Sequence, residues 1–346
     1  MVDRPSRRAP TIYEVAERAG VSIATVSRVQ RGADFVAEAT RDKVVRAIEE
    51  LDYRPSALGR FLARGKHDAT GIVFPDLSGP YYSAVILGYE EASAAEGNSV
   101  LILATHRRPG AVDQVLDLAD RVDGLVIMGR TVDDSVVEEL QRRGTAVVLL
   151  ARGPVAGSDS VRAENRTAAA ALVGHLIEHG HRDIAFVGDP EASADAGERW
   201  EGFLAAHEAA GVPPAYRPIP CAFRESDGRE AGRSILAGQG RPSALVGAND
   251  EIAIGLGVAA REAGLRIPSD ITVTGWDDIP VARHLSPPLT TVRQPMHEIG
   301  RRGAALLHER ITGTRSETRH EVLPTELVVR SSCGCSTPIS EGGVST

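Results

Sequence analysis

The spacing of apolar residues changes character once along this chain, near residue 68. Before it the spacing is helical. Ile12, Val15, Ala16 and Ala19 recur at i, i+3, i+4 and i+7, the signature of one buried helix face, and Gly20 supplies the stop. Thr11 with Glu14 three residues on forms a capping box that starts this helix. In the next segment, VSIATVSRV, Ser22 can cap a second helix. Val26 and Val29 then face the first helix, leaving Ile23, Ala24, Thr25, Ser27 and Arg28 outward. A third amphipathic segment is predicted from a cap at Thr40, with Val44, Ile48 and Leu51 on one face, ending at the YRP of residues 53–55. Three short helices with this spacing predict a helix-turn-helix unit.

Beyond residue 68 short apolar runs alternate with helical stretches: TGIVFPD, SVLILAT, DGLVIMG and AVVLLAR, then DIAFVGD, SALVGAND and DITVTGWDD. That alternation predicts parallel sheets covered by helices. Runs that are apolar throughout, without period-two alternation, fit strands buried on both faces. The runs fall into two groups, with chain crossings expected near residues 160–165 and 288–295, so a two-lobed α/β body joined by several strands is predicted. Ligands of open α/β sheets bind beyond the carboxyl ends of the strands, which places the expected site in the cleft between lobes.

Composition narrows the function. The chain has 346 residues, 42% hydrophobic and 25% charged, a globular profile too long for one core. Its net charge of −8 argues at first against a nucleic-acid partner. Residues 1–67, however, hold 13 Lys and Arg against 9 Asp and Glu, while the rest hold 26 against 38. A small cationic module on an acidic body neutralises phosphates locally and discourages nonspecific wrapping. No apolar run reaches the roughly 20 residues needed to cross a bilayer. No signal sequence is recognisable, and three cysteines make a disulfide framework improbable, so a cytoplasmic location is expected.

The string TIYEVAERAGVSIATVSRV, followed by TRDKVVRAIEELDYRPSALGRFLARG, closely resembles the DNA-binding headpiece of the lac repressor (LacI/GalR) family. The resemblance implies that Ile23, Ala24 and Arg28 choose the operator sequence, with Ser22, Thr25 and Ser27 touching backbone or bases. Ile23 and Ala24 have no side-chain donors and can meet only a thymine methyl, which leaves Arg28 as the polar base reader. Arg31 stands where relatives often carry Asn, and a phosphate contact is the simplest expectation. The segment PSALGRFLARG matches the family's hinge helix, in which Leu62 matches the side chain wedged into the minor groove. Leu62 as ordinary packing at the domain junction is the plainer alternative. Gly59, where relatives often have Ala, is expected to loosen that helix.

Resemblance continues through FPDLSGPYYSAV, ERWEGF, GANDEIAIG and GWDDIPVARHLSPPLTTVRQP, which are similar to the type I periplasmic-binding-protein-like sensor domain of these regulators. The implied fold class is thus an all-α helix-turn-helix headpiece plus a two-lobed α/β sensor. The implied boundaries are 1–54 for the headpiece, 55–67 for the hinge, 68–335 for the effector and dimerisation domain, and 336–346 for a disordered tail. Matched position by position, Tyr81, Tyr82, Arg199, Phe223, Asn249 and Asp277 are the expected effector contacts, Phe223 as a stacking ring. An Arg fork and a carboxylate grip adjacent hydroxyls and an aromatic face covers a pyranose, so a sugar is the leading ligand class, with purines still compatible. Tyr81 and Tyr82 as helix-packing residues, Asp250 as a cap for the helix beginning EIAIG and Asp278 as a turn brace are the plainer structural readings. Gly79 replaces an Asn common in the family, so any contact made by that side chain is lost. The implied partners are operator DNA, a small-molecule effector and a second copy of the chain in a homodimer, its surface involving the first-lobe helices, with no membrane.

Other patterns carry less. GLGVAA, residues 255–260, spells a dinucleotide fingerprint but lies inside an expected helix rather than between strand and helix. The pairs Cys333/Cys335 and His179/His181 have no second pair at zinc-ligand spacing, so neither a metal nor a cofactor is expected. No nucleophile or acid/base pair with an orienting partner is recognisable, which argues against an enzyme.

Overall fold

The computed structural model describes residues 10–30, 35–54, 65–106, 108–238 and 240–335. Chain contacts divide the protein between Asp68 and Ala69 into two compact units. Gly59, most of the expected hinge and the tail from 336 onward lie outside the described residues.

In the first unit, α1 (Ile12–Ala19) opens on the capping box of Thr11 and Glu14 and closes at Gly20, whose left-handed φ of 67° lets its N–H reach the carbonyls of Ala16 and Glu17. In α2 (Ile23–Gln30) the first turn is held by Ser22, whose Oγ accepts the Thr25 N–H at 3.2 Å. The third helix, α3 (Glu38–Leu51), starts before Thr40. Ala37 is its N-cap and has no side-chain oxygen to offer, but its carbonyl accepts from the N–H groups of Thr40 and Arg41. Glu38 then faces the helix dipole in the first turn, so Thr40 is already one turn inside and caps nothing. Val15, Ala16, Val26, Val29, Val44 and Ala47 form the buried centre, with Ile48 and Leu51 half-buried around it. Each fully buried valine contributes about 1.5 kcal/mol or more to holding the three helices together.

The second unit has two lobes. The first lobe is a six-stranded, all-parallel sheet of β1 (Ala69–Phe74), β2 (Ser99–Ala104), β3 (Gly124–Met128), β4 (Ala146–Leu150), β5 (Asp159–Ala163) and β10 (His320–Leu323), in the order β10-β5-β4-β3-β1-β2. Its helices are α4 (Pro80–Ala95), α5 (Ala111–Ala119), α6 (Asp134–Arg142) and α11 (Met296–Thr312). The second lobe is a parallel sheet ordered β6 (Ile184–Val187), β7 (Ala244–Gly247), β8 (Thr272–Thr274), with α7 (Arg166–Glu178), α8 (Ala194–Ala209), α9 (Glu225–Ala237) and α10 (Asp250–Glu262). An antiparallel pair, β9 (Thr291–Arg293) with β11 (Glu326–Val328), completes it.

β1, β3, β6 and β7 are buried along their whole length, as continuous apolar runs require. β2 departs from that expectation. It is a sheet edge, half-exposed along its length, with Ile102 46% exposed. β5 escapes the apolar pattern for the opposite reason: it is buried yet polar. Asp159 at its start is fully buried and takes both Arg310 and Arg315 in bidentate pairs. Burial works against its charge, but these two guanidinium groups outweigh it and hold the carboxyl at about 2. The chain crosses between lobes after β5, after β9 and again between β10 and β11, the last of these beyond the two expected positions.

The GLGVAA string lies wholly within α10. A Cβ on Gly255 would stand 2.1 Å from the Glu225 carbonyl oxygen and 2.5 Å from the Arg229 nitrogen of α9, so this glycine exists to let two helix backbones meet. Gly255→Val should therefore lower the stability of the second unit by about 1–3 kcal/mol, read from urea or thermal unfolding, as overpacking does.

Candidate nucleic-acid face and ligand cleft

On α2 the structure separates two faces. Val26 and Val29 are buried, while Ser22, Ile23, Ala24 and Arg28 are exposed at or just before the helix, and Arg28 forms no ion pair among the described residues. Thr25 and Ser27 are half-buried, a correction to the outward placement expected for both. Thr25 turns back because its hydroxyl lies 2.9 Å from Ser22 Oγ, inside the cap. Arg31 and Leu62 lie outside the described residues. An exposed helix face of short residues with a guanidinium near its end has the shape and charge to fit a major groove.

In the second unit a cleft of about 700 Å³ opens at the carboxyl ends of the strands of both lobes, and all six expected contacts, Tyr81, Tyr82, Arg199, Phe223, Asn249 and Asp277, line it. Tyr81 and Tyr82 sit in the first turn of α4 with their rings edge to face at 5.5 Å. Arg199 of α8 is nearly buried and fully oriented: Nε donates to Asn165 Oδ1 at 2.9 Å, Nη1 donates to the Ala248 carbonyl at 2.6 Å, and the guanidinium lies 4.5 Å from the Trp276 ring centre. Its third nitrogen faces Asp195 at 3.9 Å, too long for a hydrogen bond. Asp277 follows β8 with a φ of 120°, a strained conformation that aims its carboxylate into the cleft, where Gln294 Nε2 donates to it.

Electrostatics set the protonation states. Burial lifts Asp277 to about 7 against the opposing pull of Arg199 and the Gln294 hydrogen bond. Burial and the Asp277 charge push Asp250 beneath it well above the carboxylate range, against the Thr291 and Ile279 hydrogen bonds. Asp195 is raised by burial as well. Two polar atoms in the lining stand out: the Tyr81 hydroxyl and Gln294 Oε1 are buried and have no hydrogen-bond partner among the described residues. A buried polar atom left so costs about 1–3 kcal/mol, which a ligand hydroxyl or N–H would recover.

Several residues take other places than expected. Asn249, not Asp250, caps α10, its Oδ1 accepting the Ile252 N–H at 2.9 Å, so only its amide end faces outward and that donates weakly to the Phe223 carbonyl. Asp250 instead accepts from the Ile279 N–H and the Thr291 hydroxyl, bracing the loop that carries Asp277. Asp278 braces the same loop from outside through Arg293 and Arg330. Gly79, with φ of 91°, leaves room that Glu251 of the other lobe fills: a Cβ there would be 2.3 Å from Glu251 Oε2. Beside it Arg224 pairs with Asp76 across the cleft mouth. Burial opposes the Asp76 charge, but Arg224 and the N–H groups of Leu77 and Ser78 prevail and hold it at about 2. Sequence reasoning missed Asp195, Gln294 and this Asp76–Arg224 latch. Asp195, at i−4 from Arg199, carried a helical-spacing signal; the others had none.

A DNA-reading helical unit followed by a two-lobed α/β body with a ligand cleft defines a transcription regulator rather than an enzyme. The signature of bacterial regulatory proteins of the lacI family matches residues 11–56, and that of a periplasmic binding protein-like domain matches residues 173–333. The chain is 34% identical over 331 residues to the HTH-type transcriptional repressor PurR of Haemophilus influenzae (strain PittEE), covering 93% of this chain and 98% of that one. It is 36% identical over 329 residues to the PurR repressor of Erwinia tasmaniensis, covering 93% and 96%. Among solved structures it is similar to the lac repressor dimer bound to operator and the anti-inducer ONPF, with TM-score 0.83 and 28% identity over 94% of this chain and 99% of that one. It is also similar to a CelR–cellobiose complex, with TM-score 0.71 and 32% identity over 93% and 99%. The chain belongs to the lacI family of bacterial regulatory proteins, and is a DNA-binding transcription regulator. No described helix is long and apolar enough to cross a membrane.

Tyr81→Phe deletes only an unpartnered buried hydroxyl. The free protein should melt at the wild-type temperature or slightly above, while the stabilisation given by a bound effector shrinks.

Proposed function

We propose that this chain is a cytoplasmic, homodimeric repressor whose α2 helices read the two half-sites of a pseudo-palindromic operator and whose cleft binds a sugar that relieves repression. The observation that carries the ligand reading is the polar set in the cleft. One fixed guanidinium, Arg199, stands beside Asp277 and Asp195, and two buried polar atoms, Tyr81 Oη and Gln294 Oε1, await partners. Carboxylates and a guanidinium satisfy vicinal hydroxyls, and the Tyr82 and Phe223 rings offer apolar faces. The cellobiose held by the CelR structure, and the ribose held by a LacI family regulator from Enterococcus faecium at 27% identity, support this class. A purine is the second reading, favoured by the same aromatic flank and by the similarity to the PurR repressors. Dimerisation follows from the two-fold logic of a palindromic site and is the state of the operator-bound lac repressor structure.

Under this reading Arg28 contacts a base, Ile23 and Ala24 meet apolar groove features, and Ser22, Thr25, Ser27 and Arg31 contact backbone or neighbouring bases. Leu62 wedges the operator centre from the segment 55–67. Ligand binding biases the DNA-competent state by its differential affinity for the two states. The deciding experiment is a thermal-shift screen of cellobiose, ribose, other sugars and nucleobases against the whole chain, followed by operator binding with each hit. Stabilisation by nucleobases alone would overturn the sugar assignment.

Three outcomes are expected. Arg28→Ala should weaken operator binding by about 1–3 kcal/mol and relax base preference at one position per half-site, whereas equal loss on random DNA would make it a phosphate contact. Asp277→Ala should leave operator affinity intact and abolish the ligand response, as measured by DNA binding with and without effector. Because Asp277 is uncharged below about 7 and accepts ligand hydroxyls best as the carboxylate, effector affinity should fall as pH drops through that value, by up to about tenfold per pH unit, measured by calorimetry.

A further inference from the structure

At the end of α7, four side chains far apart in sequence meet. His175 and His179 are one helical turn apart, and Cys333 and Cys335 flank Gly334, whose φ of 91° turns the chain so that both sulfurs face the helix. His175 Nε2 lies 3.4 Å from Cys333 Sγ and 3.4 Å from Cys335 Sγ, and His179 Nε2 lies 3.1 Å from Cys335 Sγ. The ligand atoms of His175, Cys333 and Cys335 all fall within 4.8 Å of one another. With Zn–S near 2.3 Å and Zn–N near 2.0 Å, a tetrahedral site has S···N edges of roughly 3.5 Å, close to these separations.

The outer contacts suit the same chemistry. His179 Nδ1 lies 2.8 Å from the His175 carbonyl, which can only accept, so the proton sits on Nδ1 and Nε2 presents its lone pair toward Cys335. Cys333 is held in place by the Thr290 hydroxyl and by Ser332, which bonds β8 at the Val273 carbonyl. All three cysteines are free thiols. None of these four residues lines the cleft. The sequence pattern pointed to His179 with His181, but His181 faces away, toward Ser243 and Thr272. The productive pair is His175 with His179, joined by helical rather than sequential proximity.

We propose that His175, Cys333 and Cys335 form the core of a zinc site, with His179, which touches Cys335, swinging in as the fourth ligand, and that the metal fastens the segment after β11 to α7. Each thiol ligates as thiolate and releases its proton to solvent on binding. The clamp fastens the segment after β11 to the carboxyl end of α7, both within the second lobe.

The test uses the full chain, reduced, stripped by a chelator and titrated with cobalt and then zinc. The expected result is one cobalt per chain with the visible bands of a tetrahedral ion and thiolate charge-transfer absorption, displaced by zinc, and a rise in melting temperature with zinc. Cys335→Ser and His179→Ala should lose the bands and the zinc-dependent rise while melting as the metal-free wild type does, which shows that they fold. His181→Ala should keep both. Cobalt bound weakly in an octahedral environment, or bands that persist in Cys335→Ser, would overturn the assignment.

Discussion

The sensor cleft depends on one cation. Arg199 is nearly buried, its guanidinium tied to Asn165 at the first crossing, to the Ala248 carbonyl at the end of β7, and laid on Trp276. It is the positive charge facing Asp195 and Asp277, two carboxylates whose burial would otherwise suppress ionisation still further. Because Nε is held by the Asn165 side chain and Nη1 by the Ala248 carbonyl, the cation is fixed in place and cannot follow a carboxylate that moves. A ligand must come to it, and the geometry of the cleft is set before anything binds.

The lobes meet around this fixed point through contacts of different strength. Asp159 anchors β5 against Arg310 and Arg315 from inside the first lobe, a buried network in which every charge is paired. At the cleft mouth Arg224 and Asp76 pair in a much wetter setting, Arg224 being 60% exposed, so this latch contributes little and yields easily. Strong pairing inside the first lobe and weak pairing at the opening leave the cleft mouth the easier place to part. That matches a regulator whose ligand needs only differential affinity for two dispositions of the lobes.

Much of this was readable in the chain alone. The capping box at Thr11, the stop at Gly20 and the inward pair Val26 and Val29 are local signals, since each is decided within one or two turns of backbone. The apolar runs of β1, β3, β4, β6 and β7 likewise announce a sheet covered on both sides, and the resemblance placed six residues that the fold gathers around one cleft. Thr40 misled because an alanine carbonyl can open a helix without a side-chain cap, and β2 misled because an apolar edge strand spells the same letters as a central one.

What the sequence by itself determined is therefore the kind of elements, their order and the chemistry available at their ends. Tertiary structure alone decided which ends meet: that Asn249 rather than Asp250 caps α10, that Asp250 is buried beside Asp277 and its carboxyl pushed up, and that Cys333 comes to His175 across 158 positions of chain. The reason is physical. Periodicity and capping are set by neighbours along the backbone, whereas desolvation, charge pairing and ligand-like clustering depend on distances through space, which no local pattern encodes.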